Sequence, residues 1–349
     1  HKDNSLEEPP EGIEMTDDND RARAALKAGC VVGGTAWFWS REEMTESADY
    51  LFIDEAGQMS LAHALATGRA ARNIVLLGDP QQLEQPQRGA HPEGAEVAAL
   101  VHLLQGRKTI ADEAGLFLDE TWRLHPSICR FTSELFYEGR LNSRRGREKQ
   151  ELSGRTPFAG SGLFFVPVPH TGNQNHSPEE VEAVAGIVEG LRQSGVTWTD
   201  HEGHRQPLGA RDILVVAPYN AQVAALNRRL GQEAVAGTVD RFQGQQAPVV
   251  IYSMTSSTAQ DAPRGMSFLY NPNRLNVATS RARCACILVA SPRLLEPECS
   301  SPEQMVWANG LCLYREMARE VDLAAPLPAP RNPEPGRRRA PRGQLELGL

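Results

Sequence analysis

Tyr50-Leu-Phe-Ile-Asp54-Glu55-Ala-Gly57 is a short apolar run that ends in two acids. Leu61 to Arg69 then has helical spacing, and Asn73-Ile-Val-Leu-Leu-Gly78-Asp79-Pro80-Gln81-Gln82-Leu83 is a second apolar run, closed by a Gly-Asp-Pro turn. Apolar runs bounded by turns and joined through a helix are the pattern of strands buried on both faces of a parallel sheet. About one βα unit separates the two acids from the Gly-Asp-Pro turn. Neighbouring strands would therefore bring Gln82 near Asp54 and Glu55, at the strand ends where α/β sheets bind ligands.

Working outward, Cys30-Val-Val-Gly-Gly-Thr35 reads as a strand running into a glycine turn. Toward the carboxyl end the alternation resumes. Strands are expected at Leu163–Val168, Asp212–Ala217, Val249–Ser253 and Cys286–Ala290, with helices at Pro178–Gln193, Gln222–Leu230 and Pro272–Arg283. The expected class is α/β with two parallel sheets, and the boundary falls near Leu116–Glu120. Residues 1–20 read as a polar edge or loop, 21–115 as part of a first domain, 116–322 as a second, and 323–349 as a disordered Pro/Arg-rich tail.

The composition is that of a globular protein: 40% hydrophobic and 23% charged residues in 349, enough apolar material for a core. No apolar run of about 18 residues is present, so neither a transmembrane helix nor a membrane partner is expected. The acidic first 20 residues have no apolar stretch of the signal-peptide kind. The net charge of −8 excludes a global basic field for nucleic acid but leaves local contacts by backbone amides open. Only four of the 36 basic residues are Lys (2, 27, 108 and 149). The six cysteines include no Cys-x-x-Cys pair. Cys284, Cys286, Cys299 and Cys312 can be drawn as a four-ligand cluster, but the first two lie in an apolar strand pattern. Reduced thiols in a cytoplasmic protein are the default expectation.

Five stretches carry groups suited to chemistry. Asp54 can hold Mg²⁺ through its water shell and Glu55 can take a proton from water; the alternative is a strand that ends in solvated acids. Gln82 is a neutral donor and acceptor, able to sense a terminal phosphate, although Gly-Asp-Pro alone is an ordinary turn. Thr121-Trp122-Arg123-Leu-His125-Pro126 by itself reads as core edge plus surface charge. Thr238-Val-Asp240-Arg-Phe242-Gln243-Gly244-Gln-Gln246 runs straight into an apolar strand. Asn273-Arg-Leu-Asn276-Val-Ala-Thr279-Ser280-Arg281-Ala-Arg283 places two arginines late on an expected helix, where the dipole also favours solvated cations.

In this order the series resembles the superfamily 1B helicases, the branch that holds the nonsense-mediated-decay helicase and the nuclease-helicases of DNA replication. Asp54-Glu55-Ala-Gly resembles motif II, Gly78-Asp79-Pro-x-Gln82-Leu motif III, Val239-Asp240-x-Phe242-Gln243-Gly244 motif V, and Leu275-Asn276-Val-Ala-x-Ser280-Arg281-Ala-Arg283 motif VI. Trp122-Arg123-x-His125-Pro is similar to the family's Tyr-Arg-x-His-Pro element, and Ala217-Pro-Tyr219-Asn-Ala-Gln222 to the segment that follows it. The match runs from about residue 31 to 291. Gln85–Gly94 and Gly115-Leu-Phe-Leu-Asp119 further resemble bacterial helicases fused behind a RecB-like nuclease domain.

The resemblance implies two RecA-like domains of the P-loop NTPase type, the first incomplete, with ATP and Mg²⁺ as cofactors bound between them. It implies that Asp54 holds the metal, Glu55 activates water, Gln82 senses the γ-phosphate, and Arg123 and Arg281 act as arginine fingers. Gly244, Gln246 and Arg283 are implied in nucleotide binding. Thr35, Tyr219, Asp240 and Gln243 are implied in contact with single-stranded nucleic acid, DNA favoured and RNA left open, with 5′ to 3′ polarity. Two departures stand out. No Gly-x-x-x-x-Gly-Lys-[Ser/Thr] occurs, which removes the amide cradle, the phosphate Lys and the Mg²⁺-binding hydroxyl. The expectation is that this loop, and any nuclease domain, lies upstream of the 349 residues. The family's usual Glu is also replaced by Gln246, which loses charge-assisted strength. The competing reading is a binding module that hydrolyses nothing. Finally, Gln344-Leu345-Glu346-Leu347-Gly348-Leu349 resembles the peptide by which bacterial replication and repair proteins dock onto the sliding clamp. Gln344 would sit at the pocket rim, and Leu345, Leu347 and Leu349 complete the motif.

Overall fold

The structure is a computed structural model that describes residues 11–83, 97–193, 195–242 and 244–325. Gln243, Gln85–Gly94 and the terminal Gln344, Leu345, Leu347 and Leu349 lie outside the described residues.

A six-stranded sheet organises the larger part of the chain. Its strands, in spatial order, are Val235–Gly237, Ile213–Val216, Ala247–Ser253, Ala282–Ala290, Gly162–Pro167 and Arg319–Glu320, and every pairing is parallel. Side chains alternate across it. Val250, Tyr252, Cys286 and Leu288 enter one core with the helices Pro126–Phe136, Pro272–Thr279 and Pro302–Met317. Val249, Ile251, Ile287 and Val289 enter the other with Pro178–Arg192 and Asn220–Leu230. Burial on both faces explains why these strands read as continuous apolar runs. Each fully buried Val, Leu or Ile contributes roughly 1.5–3 kcal/mol.

The smaller part holds the parallel pair Ala48–Ile53 and Ala71–Leu76, with Ile53 opposite Leu76. Leu51 and Ile53 pack with Trp39, Met44, Ala56 and Ala70. Tyr50 and Phe52, on the opposite face, are exposed. The helix Leu61–Gly68 connects the two strands, capped by the Ser60 side chain.

The expected elements are found within a few residues of their bounds, with two corrections. Cys30–Thr35 is irregular rather than a strand. Val31 is fully exposed and the segment pairs with no strand among the described residues, so its β-branched pair has no pleated surface to fit. The helix expected to reach Arg283 stops at Thr279. Thr279 turns its hydroxyl back onto the carbonyls of Leu275 and Asn276, which competes with helix continuation, and the strand begins at Ala282. Arg281 therefore lies in a turn and Arg283 in a strand. The four-cysteine cluster does not assemble: Cys284 and Cys286 point into opposite cores, and all six cysteines are free thiols. Among the described residues no helix is long and apolar enough to cross a membrane.

Candidate active site

Asp54 and Glu55 leave the carboxyl end of the first strand, both exposed. Glu55 adopts the left-handed backbone (φ 53), its N–H donating to Asp54 Oδ1 at 2.9 Å, while Gln58 Nε2 donates to Glu55 Oε2 at 3.1 Å. Positive φ in a non-glycine residue is unfavourable and clusters at functional turns. The turn packs directly on the Gly-Asp-Pro loop: Ala56 donates to Leu77 O and Leu77 to Ile53 O, each at 2.8 Å. A Cβ on Gly57 would lie 2.3 Å from the Asp79 carbonyl oxygen, and one on Gly78 2.8 Å from Ala56 N. Glycine at both positions is what lets the two loops touch.

Thr35 is exposed at the start of the helix Ala36–Trp39. It lines a cleft of about 640 Å³ with Trp37, Asp54, Glu55, Gln58 and His63. The structure thus groups Thr35 with the two acids.

From the larger part, three arginines converge. Arg123 Nε donates to Gln246 Oε1 at 3.0 Å and Nη1 to Ser280 O at 2.9 Å. Burial first, then the like charges of Arg281 and Arg283, push its guanidinium down to about 10. Arg281 is 3% exposed and its Nη2 meets Gln82 Oε1 at 3.4 Å across the gap between the two parts. Burial also lowers Arg281, opposed by the negative fields of Glu55 and Asp79. Four buried side-chain atoms here have no hydrogen-bond partner among the described residues: Asn276 Oδ1, Ser280 Oγ, Arg281 Nε and Arg283 Nε. Buried polar groups without partners are uncommon and call for an explanation, a catalytic role or a bound water or ion among them.

A bulge helps aim these arginines. Ala247 pairs with Ala282 but Val249 with Ala285, so Arg283 and Cys284 oppose the single residue Pro248. Pro248 has no N–H to give the ladder, and the extra residue bends the strand where a side chain must be re-aimed.

The other sequence candidates are spread more widely. Gly244 (φ 78) and Gln246 are exposed, and Gln246 meets the arginine cluster through Arg123. Asp240 is exposed and pairs with Arg274 at 3.6 Å. Tyr219 is only 7% exposed, its ring tilted against Phe268, which leaves it little surface for a polynucleotide. Gln222 is fully buried, bonded to Ser177 and Ser253, and holds the core.

The motifs gave no role to Trp122 or Asp79, and Tyr137 lies outside them. The Trp122 ring is 62% exposed with the Arg144 guanidinium 3.4 Å from its centroid. Tyr137 Oη donates to Asp79 Oδ2 at 2.5 Å. A Tyr at the end of a helix carries no local signal of such a contact.

The profile of a family described as AAA domain matches residues 99–293, and that of the viral superfamily 1 RNA helicase core domain matches residues 35–111. The chain belongs to this AAA-domain family, and its residues 35–111 are similar to the superfamily 1 helicase core. It is 27% identical over 71% of its length to the DNA polymerase alpha-associated DNA helicase A of Schizosaccharomyces pombe, covering 38% of that protein. It is likewise 27% identical over 76% of its length to the regulator of nonsense transcripts 1 homolog of Drosophila melanogaster, covering 22%. The chain thus spans well under half of each of these curated relatives. An arterivirus helicase solved with DNA aligns over 69% of this chain and 39% of its own, at 16% identity and a TM-score of 0.35.

Proposed function

We propose that the chain is part of an ATP-dependent 5′ to 3′ helicase or translocase on single-stranded nucleic acid, DNA in preference to RNA. It would work in the cytoplasm within a larger nuclease-helicase. The observation that carries this reading is the approach of Arg281 to Gln82 at 3.4 Å, in the field of Glu55 and Asp79. Cations of one domain thereby face the acids and the amide of the other.

The donors Ser280 Oγ, Arg281 Nε and Arg283 Nε, without partners among the described residues, fit the phosphate end of a nucleotide, and Asp54, exposed beside Glu55, would hold a magnesium ion. When bound, Mg²⁺–ATP supplies the anhydride bond that is cleaved. In this reading Asp54 would hold the metal, Glu55 would take the proton of the attacking water, and Gln82 would sense the γ-phosphate. Arg281 would neutralise charge that grows on the phosphoryl oxygens, with Arg283 in nucleotide binding. Arg123, kept by Gln246 and Ser280, needs only to exchange the Gln246 contact to join them. Arginines placed this way are worth roughly 10³–10⁵ in rate in GTPases. Because no phosphate loop occurs in the 349 residues, hydrolysis requires one supplied from outside them. Thr35, Asp240 and Gln243 are the proposed backbone contacts to nucleic acid.

The test is phosphate release with and without single-stranded DNA, from the 349-residue chain and from a natural protein extended upstream through a phosphate loop. The extended protein should turn over with DNA stimulation, and Glu55→Gln should abolish turnover while ATP still binds. Brisk hydrolysis by the short chain, or none by the extended protein, overturns the reading.

A further inference from the structure

Asp79 sits where the two parts of the molecule meet. Its Oδ1 accepts from Gln81 N at 2.9 Å, which fixes the carboxylate to its own loop. Its Oδ2 accepts twice, from Gln82 Nε2 at 2.9 Å and from Tyr137 Oη at 2.5 Å. Tyr137 belongs to the larger part, just past the helix Pro126–Phe136, and its hydroxyl in turn accepts from Asn276 Nδ2 at 3.0 Å. Asn276 Nδ2 also donates to Gln81 O and Asn273 Nδ2 to Gln82 O, each at 2.9 Å.

The order of donors sets the orientation of Gln82. With Nε2 committed to Asp79, Oε1 faces Arg281. Rotating the amide would set its NH₂ against a guanidinium that has no acceptor to offer. The Tyr137 ring is largely buried, and burial together with the Asp79 charge raises its hydroxyl far above the ordinary value. It therefore remains a donor at any working pH. A hydroxyl donating to a carboxylate is among the stronger hydrogen bonds in a protein.

We infer that Tyr137 is a positioning residue: through Asp79 it aligns Gln82 with Arg281 only when the two parts are docked, and so ties hydrolytic competence to domain closure. The inference rests on the proposed ATPase reading for its kinetic consequence and on geometry alone for its structural one.

Two measurements test it. The first uses the 349-residue chain. Tyr137→Phe removes only the hydroxyl, and amide hydrogen exchange across residues 78–83 should quicken about tenfold while exchange in Ala247–Ser253 stays unchanged. The second uses the upstream-extended protein. Tyr137→Phe should lower kcat about tenfold and leave KM for ATP within about twofold, since one charge-assisted bond aligns rather than binds. Asp79→Asn should do the same, and the double variant should be no worse than either single one. Tyr270→Phe is the control: it removes another buried hydroxyl, bonded to Leu294 O at 2.6 Å, and should lower stability without moving kcat. Unchanged exchange across 78–83 overturns the inference whether or not the protein hydrolyses ATP. So does a Tyr137→Phe kcat equal to wild type in a DNA-stimulated enzyme, or losses that add in the double variant. A wild-type extended protein without ATPase would instead overturn the function proposed above and leave the exchange result to decide this one.

Discussion

Arg123 donates its Nε proton to Oε1 of Gln246 at 3.0 Å, so the arginine and the residue that follows the Gln-Gly loop hold each other on one domain. Neutral Gln gives this bond less strength than a carboxylate would, and the guanidinium stays depressed, at about 10, by burial and its two arginine neighbours. Gln246→Glu should strengthen the bond. In the extended protein, kcat should then fall by about threefold to tenfold as Arg123 is retained. An unchanged or higher kcat would show that Arg123 has no need to leave Gln246.

Arg281→Ala should act on the chemical step. In the extended protein kcat should drop by roughly 10³-fold with KM for ATP little changed, because the charge it meets develops in the transition state. If only KM rose, the arginine would be binding ground-state phosphate, and Arg283→Ala becomes the next variant to measure.

Three clustered cations that form no ion pair among the described residues predict anion binding by the short chain itself. Pyrophosphate should raise the melting temperature of the 349-residue chain, by roughly 2–4 °C for each 1 kcal/mol of linkage. The doubly substituted Arg281→Ala, Arg283→Ala chain should lose most of that increment. Equal increments in both proteins would place the anion elsewhere.

The two loops that touch through glycine give a matched pair of stability tests. Gly57→Ala sets a methyl 2.3 Å from the Asp79 carbonyl oxygen and should cost about 1–3 kcal/mol in urea unfolding. Gly186→Ala, in the exposed middle of Pro178–Arg192 with nothing within 4 Å of the new carbon, should add about 0.5–1 kcal/mol. A neutral Gly57→Ala would mean the loops are not in contact.

His125 gives a pH dependence with a definite sign. Burial holds its imidazole below the ordinary value, opposed by the field of Glu148, and its Nδ1 accepts from Ser127 N at 3.2 Å. The fold therefore prefers neutral His125, and the unfolded chain takes the proton first as pH falls below about 6.5. Stability from this group is complete above that pH and declines as pH drops toward the folded value. His125→Asn keeps an acceptor at this cap but cannot titrate there. Between pH 7.5 and 5 the wild type should lose more stability than the variant; parallel losses would contradict the assignment.

The terminal Gln344–Leu349 segment calls for a binding test of its own. A labelled peptide of residues 338–349 should bind a bacterial sliding clamp, and a Gln344→Ala, Leu347→Ala peptide should not. No binding at about 100 μM, a threshold of roughly 5.5 kcal/mol, rejects the resemblance.

Much of this was legible in the sequence where chemistry is local. The strands ending at Ile53 and Leu76 were readable from apolar runs, and the acids and Gln82 from the turns that close them. The sequence misplaces Arg283 because no glycine or proline separates Pro272–Thr279 from Ala282–Ala290, and only the back-bonding of Thr279 marks the change of period. Thr35 was read as the end of a strand because Val31 and Val32 favour strands, and propensity yields where no neighbour pairs. Tyr137 was not legible at all. Its partner Asp79 is 58 residues away, and no spacing rule reaches that far.

The bulge opposite Pro248 has a consequence for how this strand changes over time. Alternation along a strand has a period of two, so inserting one residue ordinarily turns every following side chain to the other face. Here the extra residue is absorbed between Ala282 and Ala285, leaving the apolar segment from Ala285 to Ala290 in register while Arg281 and Arg283 stay fixed to the turn. Drift in the core residues and drift in the arginines are thereby separated. A homologue whose strand lacks the bulge must show a one-residue gap at this point, and with it a residue other than proline facing the ladder.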